Sequence, residues 1–180
     1  MGHRTLVAYD RGDGRERYDL HYAHWGVAPG DVGPSTPLGG ARVDGWARRR
    51  AEELLDPEGG RLVDDEDDST AIDPEPIATG LSFGDVCERI DPLEHEALLV
   101  VGDETRAYLV VAIESGGFDR PTGALIGYDD ESEATYLRGW LAGVRAATAD
   151  DESDRRTLID ALRWLDPKRG VVVWLDRRGG

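Results

Sequence analysis

The residues best suited to chemistry gather near the start of the chain. Residues 1–25 hold three of the four histidines, three of the six tyrosines and one of the five tryptophans. A pair of histidines can transfer protons or bind a divalent metal, because imidazole titrates near neutral pH and is a common metal ligand. If the protein is an enzyme, its candidate catalytic residues are therefore His3, His24, Tyr22 and Asp19.

An Asp-Gly step predicts how these residues are arranged. Two strand-like segments, 4–10 and 16–25, flank a short polar stretch that contains Asp13-Gly14. Asp-Gly favours a two-residue type I′ turn, so the two segments are expected to form a β-hairpin. The predicted cross-strand pairs, all on one face of the sheet, are His3–His24, Thr5–Tyr22, Val7–Leu20 and Tyr9–Tyr18.

This hairpin has two interpretations. In the first it is an aromatic contact surface with histidines at its solvent-exposed end, and its binding residues are Tyr9, Tyr18, Tyr22, His24 and Trp25. In the second it is an acid–base site, in which the two imidazoles line a concave pocket. A metal would need at least one further ligand, and no spacing supplies one, so no metal site is predicted.

The rest of the chain offers few nucleophiles or cofactor motifs. Cys87, the only cysteine, lies in a short helical pattern and is interpreted as a buried structural residue. No serine has the Gly-x-Ser-x-Gly setting, and the paired glycines lack the spacing of phosphate-binding loops. The acidic run 64–68 lacks the central glycine of a calcium-binding loop. No cofactor is therefore predicted.

The order of apolar patterns predicts an α+β fold with a mostly antiparallel sheet of about five or six strands and helices packed on one face. Strands are expected at 4–10, 16–25, 97–102, 106–114, 123–128 and 171–175, and helices at 44–55, 83–90, 133–148 and 154–165. We expect a single domain over 1–180. Within it, residues 56–80, with nine acids and one arginine, are predicted to form an acidic mobile loop or insertion.

Nearly the same phrase precedes the last two predicted helices. Residues 129–133 read Asp-Asp-Glu-Ser-Glu and residues 150–154 read Asp-Asp-Glu-Ser-Asp. Acids and serine at a helix start accept hydrogen bonds from the first backbone amides and complement the helix dipole. We interpret both phrases as helix caps, with cation binding as the alternative.

The charge composition is typical of a protein from a salt-saturated cytoplasm. The chain has 37 acidic residues, a formal net charge of −16, one lysine (Lys168) among 21 basic residues, and no Asn or Gln. Repulsion within such a chain is screened at molar salt, where the Debye length falls to about 3 Å. We therefore expect a cytoplasmic protein of a halophilic archaeon.

The same charge disfavours several classes of partner. An acidic field repels phosphate backbones and anionic membrane surfaces, so nucleic acid binding is expected only at local arginine clusters such as 48–50, 155–156 and 177–178. No apolar run approaches the roughly 18 residues that a membrane-spanning helix needs. A protein partner or self-association is therefore the expected mode of interaction.

The segments His3–Tyr9 and Tyr18–Gly26 resemble the start of a group of small haloarchaeal proteins of unknown function. The resemblance covers only the N-terminal hairpin, and it implies no activity, cofactor or catalytic residue. It supports the halophilic origin. The function expected from the sequence is a non-enzymatic protein-binding or assembly module, and the alternative is a small hydrolase or transferase that uses the histidine pair.

Overall fold

A computed structural model describes seven strands and three helices of this chain. The residues it describes are 4–12, 14–23, 29, 32–33, 72–73, 75–113, 122–148, 153–169 and 172–175. The expected helix at 44–55 lies outside these residues. Within the described ranges, no helix is long and apolar enough to cross a membrane.

The seven strands form one sheet in the order β3-β2-β1-β4-β5-β6-β7. β1 and β4 are parallel, and every other neighbouring pair is antiparallel. The predicted α+β class with a mostly antiparallel sheet is confirmed, with one strand more than expected. The strands are β1 (Thr5–Asp10), β2 (Tyr18–Ala23), β3 (Ala78–Leu81), β4 (Ala97–Val101), β5 (Thr105–Ile113), β6 (Thr122–Tyr128) and β7 (Val172–Leu175).

Two long helices, α2 (Glu131–Thr148) and α3 (Ser153–Arg169), pack on one face of the sheet against β5, β6 and β7. Their apolar residues recur at helical spacing, which places a leucine stripe of each helix against the strands. Complete burial of one such leucine contributes about 1.5–3 kcal/mol relative to its exposure. The buried cluster on this face includes Val7, Leu99, Leu109, Ile126, Leu137, Leu141, Leu158 and Leu162.

The start of α2 confirms the capping interpretation of the first acidic phrase. Asp130 Oδ1 accepts hydrogen bonds from the Glu133 amide at 2.9 Å and from the Ser132 hydroxyl at 2.7 Å. The Glu133 carboxylate in turn accepts from the Asp129 amide at 2.7 Å. These bonds lower the pKa of Asp130 and satisfy amides that the helix leaves without a partner. Residues 150–152 of the second phrase lie outside the described part of the chain.

A third, short helix, α1 (Phe83–Glu88), packs on the opposite face. Ser82 and Asp85 form a reciprocal capping box at its start. The helices therefore occupy both faces of the sheet, where one face was expected. The reason is that β4 is buried along its whole length, so the side chains on each of its faces need a cover.

The end of the acidic segment 56–80 contributes the strand that the sequence did not predict. Ala78–Leu81 pair with β2, and the Ile77 amide donates to the Leu20 carbonyl at 2.8 Å. Ile72 forms an isolated bridge with Ala23. The last residues of this segment are therefore ordered against the hairpin, which differs from the loop expected there. Residues 56–71 lie outside the described ranges.

Candidate functional site

The N-terminal hairpin pairs in a different register from the predicted one. Thr5 lies opposite Ala23 and Tyr9 lies opposite Asp19, so each partner is one residue further along than expected. The pairings Thr5–Tyr22, Val7–Leu20 and Tyr9–Tyr18 are wrong. A shift of one residue moves the side chains of one strand to the other face of the sheet, so the predicted common face of tyrosines does not form.

A seven-residue connection, 11–17, causes the shift. The Arg11 amide donates to the Arg17 carbonyl at 2.8 Å, and Asp10 Oδ1 accepts from the Gly12 amide. Three of its residues have positive φ angles: Gly12 at 65°, Gly14 at 76° and Glu16 at 47°. Such a path closes a wide loop, whereas a type I′ turn needs two consecutive left-handed residues between paired strand ends.

Tyr9 is a core residue in this register. Its side chain is 1% exposed and belongs to the buried cluster on the face of the sheet that carries α2 and α3. Its ring meets His21 edge-on, with centroids 5.4 Å apart and planes at 88°. His21 is also buried, and its Nδ1 lies 2.9 Å from the Asp73 carbonyl, to which it donates. Tyr9 therefore cannot take part in an exposed aromatic patch.

Tyr18 and Tyr22 lie on the opposite face and are half-buried against α1 and its flanks. The Tyr18 ring packs edge-on against Phe83, with centroids 6.4 Å apart. Burial and the nearby Asp10 charge raise the pKa of Tyr18. The proposed acid–base residue Asp19 has a structural partner, since its Oδ1 accepts from the Gly80 amide of β3 at 2.9 Å.

The structure adds one histidine that the sequence interpretation missed. His95 lies just before β4, and its ring centroid is 6.4 Å from that of Tyr22. Its Nδ1 accepts from the Asp91 amide at 2.9 Å, and burial lowers its pKa, so the ring is neutral at pH 7. Because β1 and β4 are parallel, His95 lies at the end of the sheet where β1 begins and β2 ends.

The predicted residues His3, His24 and Trp25 lie outside the described residues. The pairing of the two histidines and the enzyme alternative that depends on it therefore stay predictions. The shifted register removes the argument that placed the two imidazoles opposite each other. In the described part of the chain, no three His, Cys, Asp or Glu side chains are grouped so that they could hold a metal ion.

Cys87 has the environment of a structural thiol. It is half-buried on α1, and burial raises its pKa to about 11. A cysteine nucleophile must be a thiolate near neutral pH, which requires positive charge nearby or a pKa lowered by hydrogen bonds. The predicted structural role of Cys87 is therefore consistent with its surroundings.

An open groove of about 620 Å³ lies at the far end of the sheet from His95. It is bounded by the start of β5, the end of β6 and the first turn of α2. Two of its three acidic residues, Asp129 and Glu133, belong to the hydrogen-bonded cap of α2. Arg106 is the one basic residue in its lining. The lining residues are Pro29, Glu104, Thr105, Arg106, Ala107, Tyr108, Gly127, Tyr128, Asp129 and Glu133. The groove is therefore not the pocket that the hairpin acid–base hypothesis requires.

A second exposed feature is the aromatic side chain of β7. Trp174 of this strand is 43% exposed. Trp174 pairs with Ala124, which belongs to the core beneath α2 and α3, so its indole points to the face that carries α3. The sequence patterns gave no signal for this surface, because an edge strand is identified only from the order of strands in the sheet.

Comparison with known proteins identifies a family and no further relative. No curated protein and no solved structure shows significant similarity to this chain. A family model described as "Family of unknown function (DUF6735)" matches residues 1–173, which is nearly the whole chain. The chain therefore belongs to the DUF6735 family.

Proposed function

We propose that the protein is a non-enzymatic protein-binding or assembly module that works in the cytoplasm of a halophilic archaeon. The observation that carries the proposal is the exposure of Trp174 on the outermost strand of the described sheet. Tryptophan is enriched in protein interfaces and among the residues that contribute most to binding. The contact surface is thus proposed at β7, because Tyr9 of the hairpin is a core residue.

A photo-crosslinking amino acid tests the binding function. It replaces Trp174 in one variant and, as the matched control, Tyr136 in another, because Tyr136 is an aromatic residue of α2 that is 67% exposed. After irradiation in an extract of the source cells at molar KCl, the variant at position 174 is expected to give a discrete adduct with a protein partner. Equal labelling from both positions, or no adduct from position 174, would contradict the proposal.

The halophilic part of the proposal predicts stability that depends on salt. The chain carries a formal net charge of −16, and this repulsion acts over a Debye length of about 10 Å at 0.1 M salt but about 3 Å at 1 M. The melting temperature is therefore expected to rise between these KCl concentrations. Thermal unfolding followed by circular dichroism measures it, and KCl is preferred to sulfate, which would also strengthen apolar burial. A flat or falling profile would contradict the halophilic origin.

A further inference from the structure

β7 is a regular edge strand. It pairs with β6 over four consecutive residues, Val172 to Leu175, with no irregularity, and it is the last strand in the sheet order of the described residues. An edge strand presents backbone amides and carbonyls to any further strand, and proteins usually block it with charges, prolines or bulges. The sequence Val-Val-Trp-Leu contains neither a charge nor a proline.

The opposite edge of the sheet is built differently. In β3, Gly80 has a φ angle of 66°, and the pairing with β2 shifts register between Tyr18 and Leu20. Gly80 is also held by side chains, since its amide donates to Asp19 and its carbonyl accepts from Arg17 at 2.8 Å. Such a bulge twists an edge away from further pairing. Of the two edges, β7 is therefore the one suited to accept a strand.

The side chains of β7 would give an added strand a surface to pack on. Trp174 opposes Ala124 and Val173 opposes Leu125, so consecutive residues point to opposite faces. A residue paired with Trp174 from outside would have its Cβ atom about 5 Å away, within reach of the indole. Aromatic residues paired with β-branched residues are favourable across strands, so the strand most suited to this edge has Val, Ile or Thr opposite the tryptophan.

The sequence on either side of β7 has the opposite net charge to the rest of the chain. Within four residues of the strand at each end it holds four basic residues (Lys168, Arg169, Arg177 and Arg178) and one acidic residue (Asp176), a net charge of +3. The whole chain has a net charge of −16, so the other residues carry −19. Basic residues that flank the strand in the sequence favour an acidic partner through charge complementarity.

We propose that the β7 edge binds an extended acidic segment of a partner protein, which adds to the sheet as an eighth strand. This inference rests on the proposed binding function and specifies its partner. Backbone hydrogen bonds along the edge would supply much of the affinity, and packing on Trp174 with attraction to the basic residues that flank β7 in the sequence would supply specificity.

A second copy of the chain fits this edge less well. Pairing β7 with itself would bring two basic regions together, and the two copies each carry a net charge of −16. A stable interface needs about 800 Å² from each partner, and a four-residue strand covers much less. A short extended peptide does not need such an area, since transient peptide recognition works with smaller surfaces.

Synthetic peptides test the proposal. The probe is fluorescein-labelled Asp-Asp-Val-Thr-Val-Thr-Val-Thr-Asp-Asp, and the charge control has lysine at each aspartate. A third peptide has the probe sequence with N-methylated backbone amides, which cannot pair as a strand. Fluorescence anisotropy is measured at the lowest KCl concentration that preserves the near-UV circular dichroism of the fold. The probe is expected to bind about tenfold more tightly than either control peptide.

Two variants assign the binding to β7. Trp174→Glu is expected to weaken binding of the probe about tenfold, since it removes the indole and puts on the edge a negative charge that repels the acidic peptide, whereas Tyr136→Glu on α2 is expected to leave it unchanged. Near-UV circular dichroism confirms that each variant is folded. Absence of probe binding, or equal binding of the acidic, lysine and N-methylated peptides, would overturn the proposal even if the crosslinker at position 174 captures a protein.

Two other occupants would also overturn it. Light scattering that shows a dimer, dissociated by Trp174→Glu, would assign the edge to a second copy of the chain. Deletion of residues 64–68 that creates probe binding absent from the intact protein would assign the edge to this acidic run of the same chain. A monomer that binds the probe with or without the deletion supports a separate acidic partner.

Discussion

Replacement of Tyr9 by alanine is expected to lower the free energy of unfolding by about 3–5 kcal/mol, as for other large aromatic residues deleted from a core. The Tyr9 side chain of β1 is 1% exposed, and its ring packs edge-on against that of His21 on the neighbouring strand β2. Its removal would leave a cavity that the rigid sheet cannot close. Urea denaturation in molar KCl measures the change, and the loss is a large part of the roughly 5–15 kcal/mol by which folded proteins are stable.

Tyr136→Ala is the matched control for this substitution. Tyr136 is 67% exposed on α2, so the same truncation there is expected to change stability by about 0.5 kcal/mol or less. If Tyr9→Ala were as mild as Tyr136→Ala, Tyr9 would be a surface residue. That result would favour the aromatic contact surface expected from the sequence over the buried position.

Gly123→Ala is expected to destabilise the protein by about 1–3 kcal/mol, because it overpacks a closed part of the sheet. A Cβ atom added at Gly123 would lie 2.7 Å from Pro92 Cγ and 2.8 Å from the Val111 carbonyl oxygen. Both contacts are too short, and the second is to backbone, so β5 or the loop after α1 would have to move. Thermal or urea denaturation measures the change.

Gly139→Ala should change stability in the opposite direction. Gly139 lies within α2, and an added Cβ atom there would meet nothing within 4 Å. Alanine is favoured over glycine inside a helix by about 1 kcal/mol, so this variant is expected to be more stable than the parent. Equal effects of the two substitutions would show that Pro92 does not pack on Gly123 as described.

Local signals in the sequence predicted the elements that they control. The cap at Ser82 and the acids before α2 act within one helical turn, so their residue types indicate their roles directly. The strands around residues 97–113 were also evident, because runs of Val and Leu in that length favour buried strands. These elements decided the α+β class.

The hairpin register was not predictable from the same kind of signal. Asp13-Gly14 favours a two-residue turn, but Gly12 and Glu16 also adopt positive φ angles and lengthen the loop to residues 11–17. The competing energies are small local preferences, and the burial of Tyr9 and His21 on one face of the sheet outweighs them. An error of one residue was enough to separate the tyrosines that the contact-surface hypothesis had placed together.

Features that depend on the order of strands had no sequence signal at all. The Tyr22 ring contacts the His95 ring because β1 and β4 are parallel neighbours. No local spacing in the sequence indicates that these two strands pair. The exposed edge at Trp174 depends on β7 being the last strand in the described part of the sheet. The four residues of β3 follow an acidic stretch and are too short to show a period, which explains why that strand was expected to be loop.

The parallel pairing of β1 with β4 also determines the order in which the sheet can assemble. Thr5 pairs with Ala97, so this pairing forms only after more than half of the chain has left the ribosome, and it carries a large loop-closure entropy. β4, β5 and β6 are joined by short-range antiparallel pairings, which form faster. Leu6 and Ala8 of the N-terminal hairpin therefore stay exposed to solvent until β4 has been synthesised and pairs with β1. The nascent chain is most vulnerable to aggregation during that time.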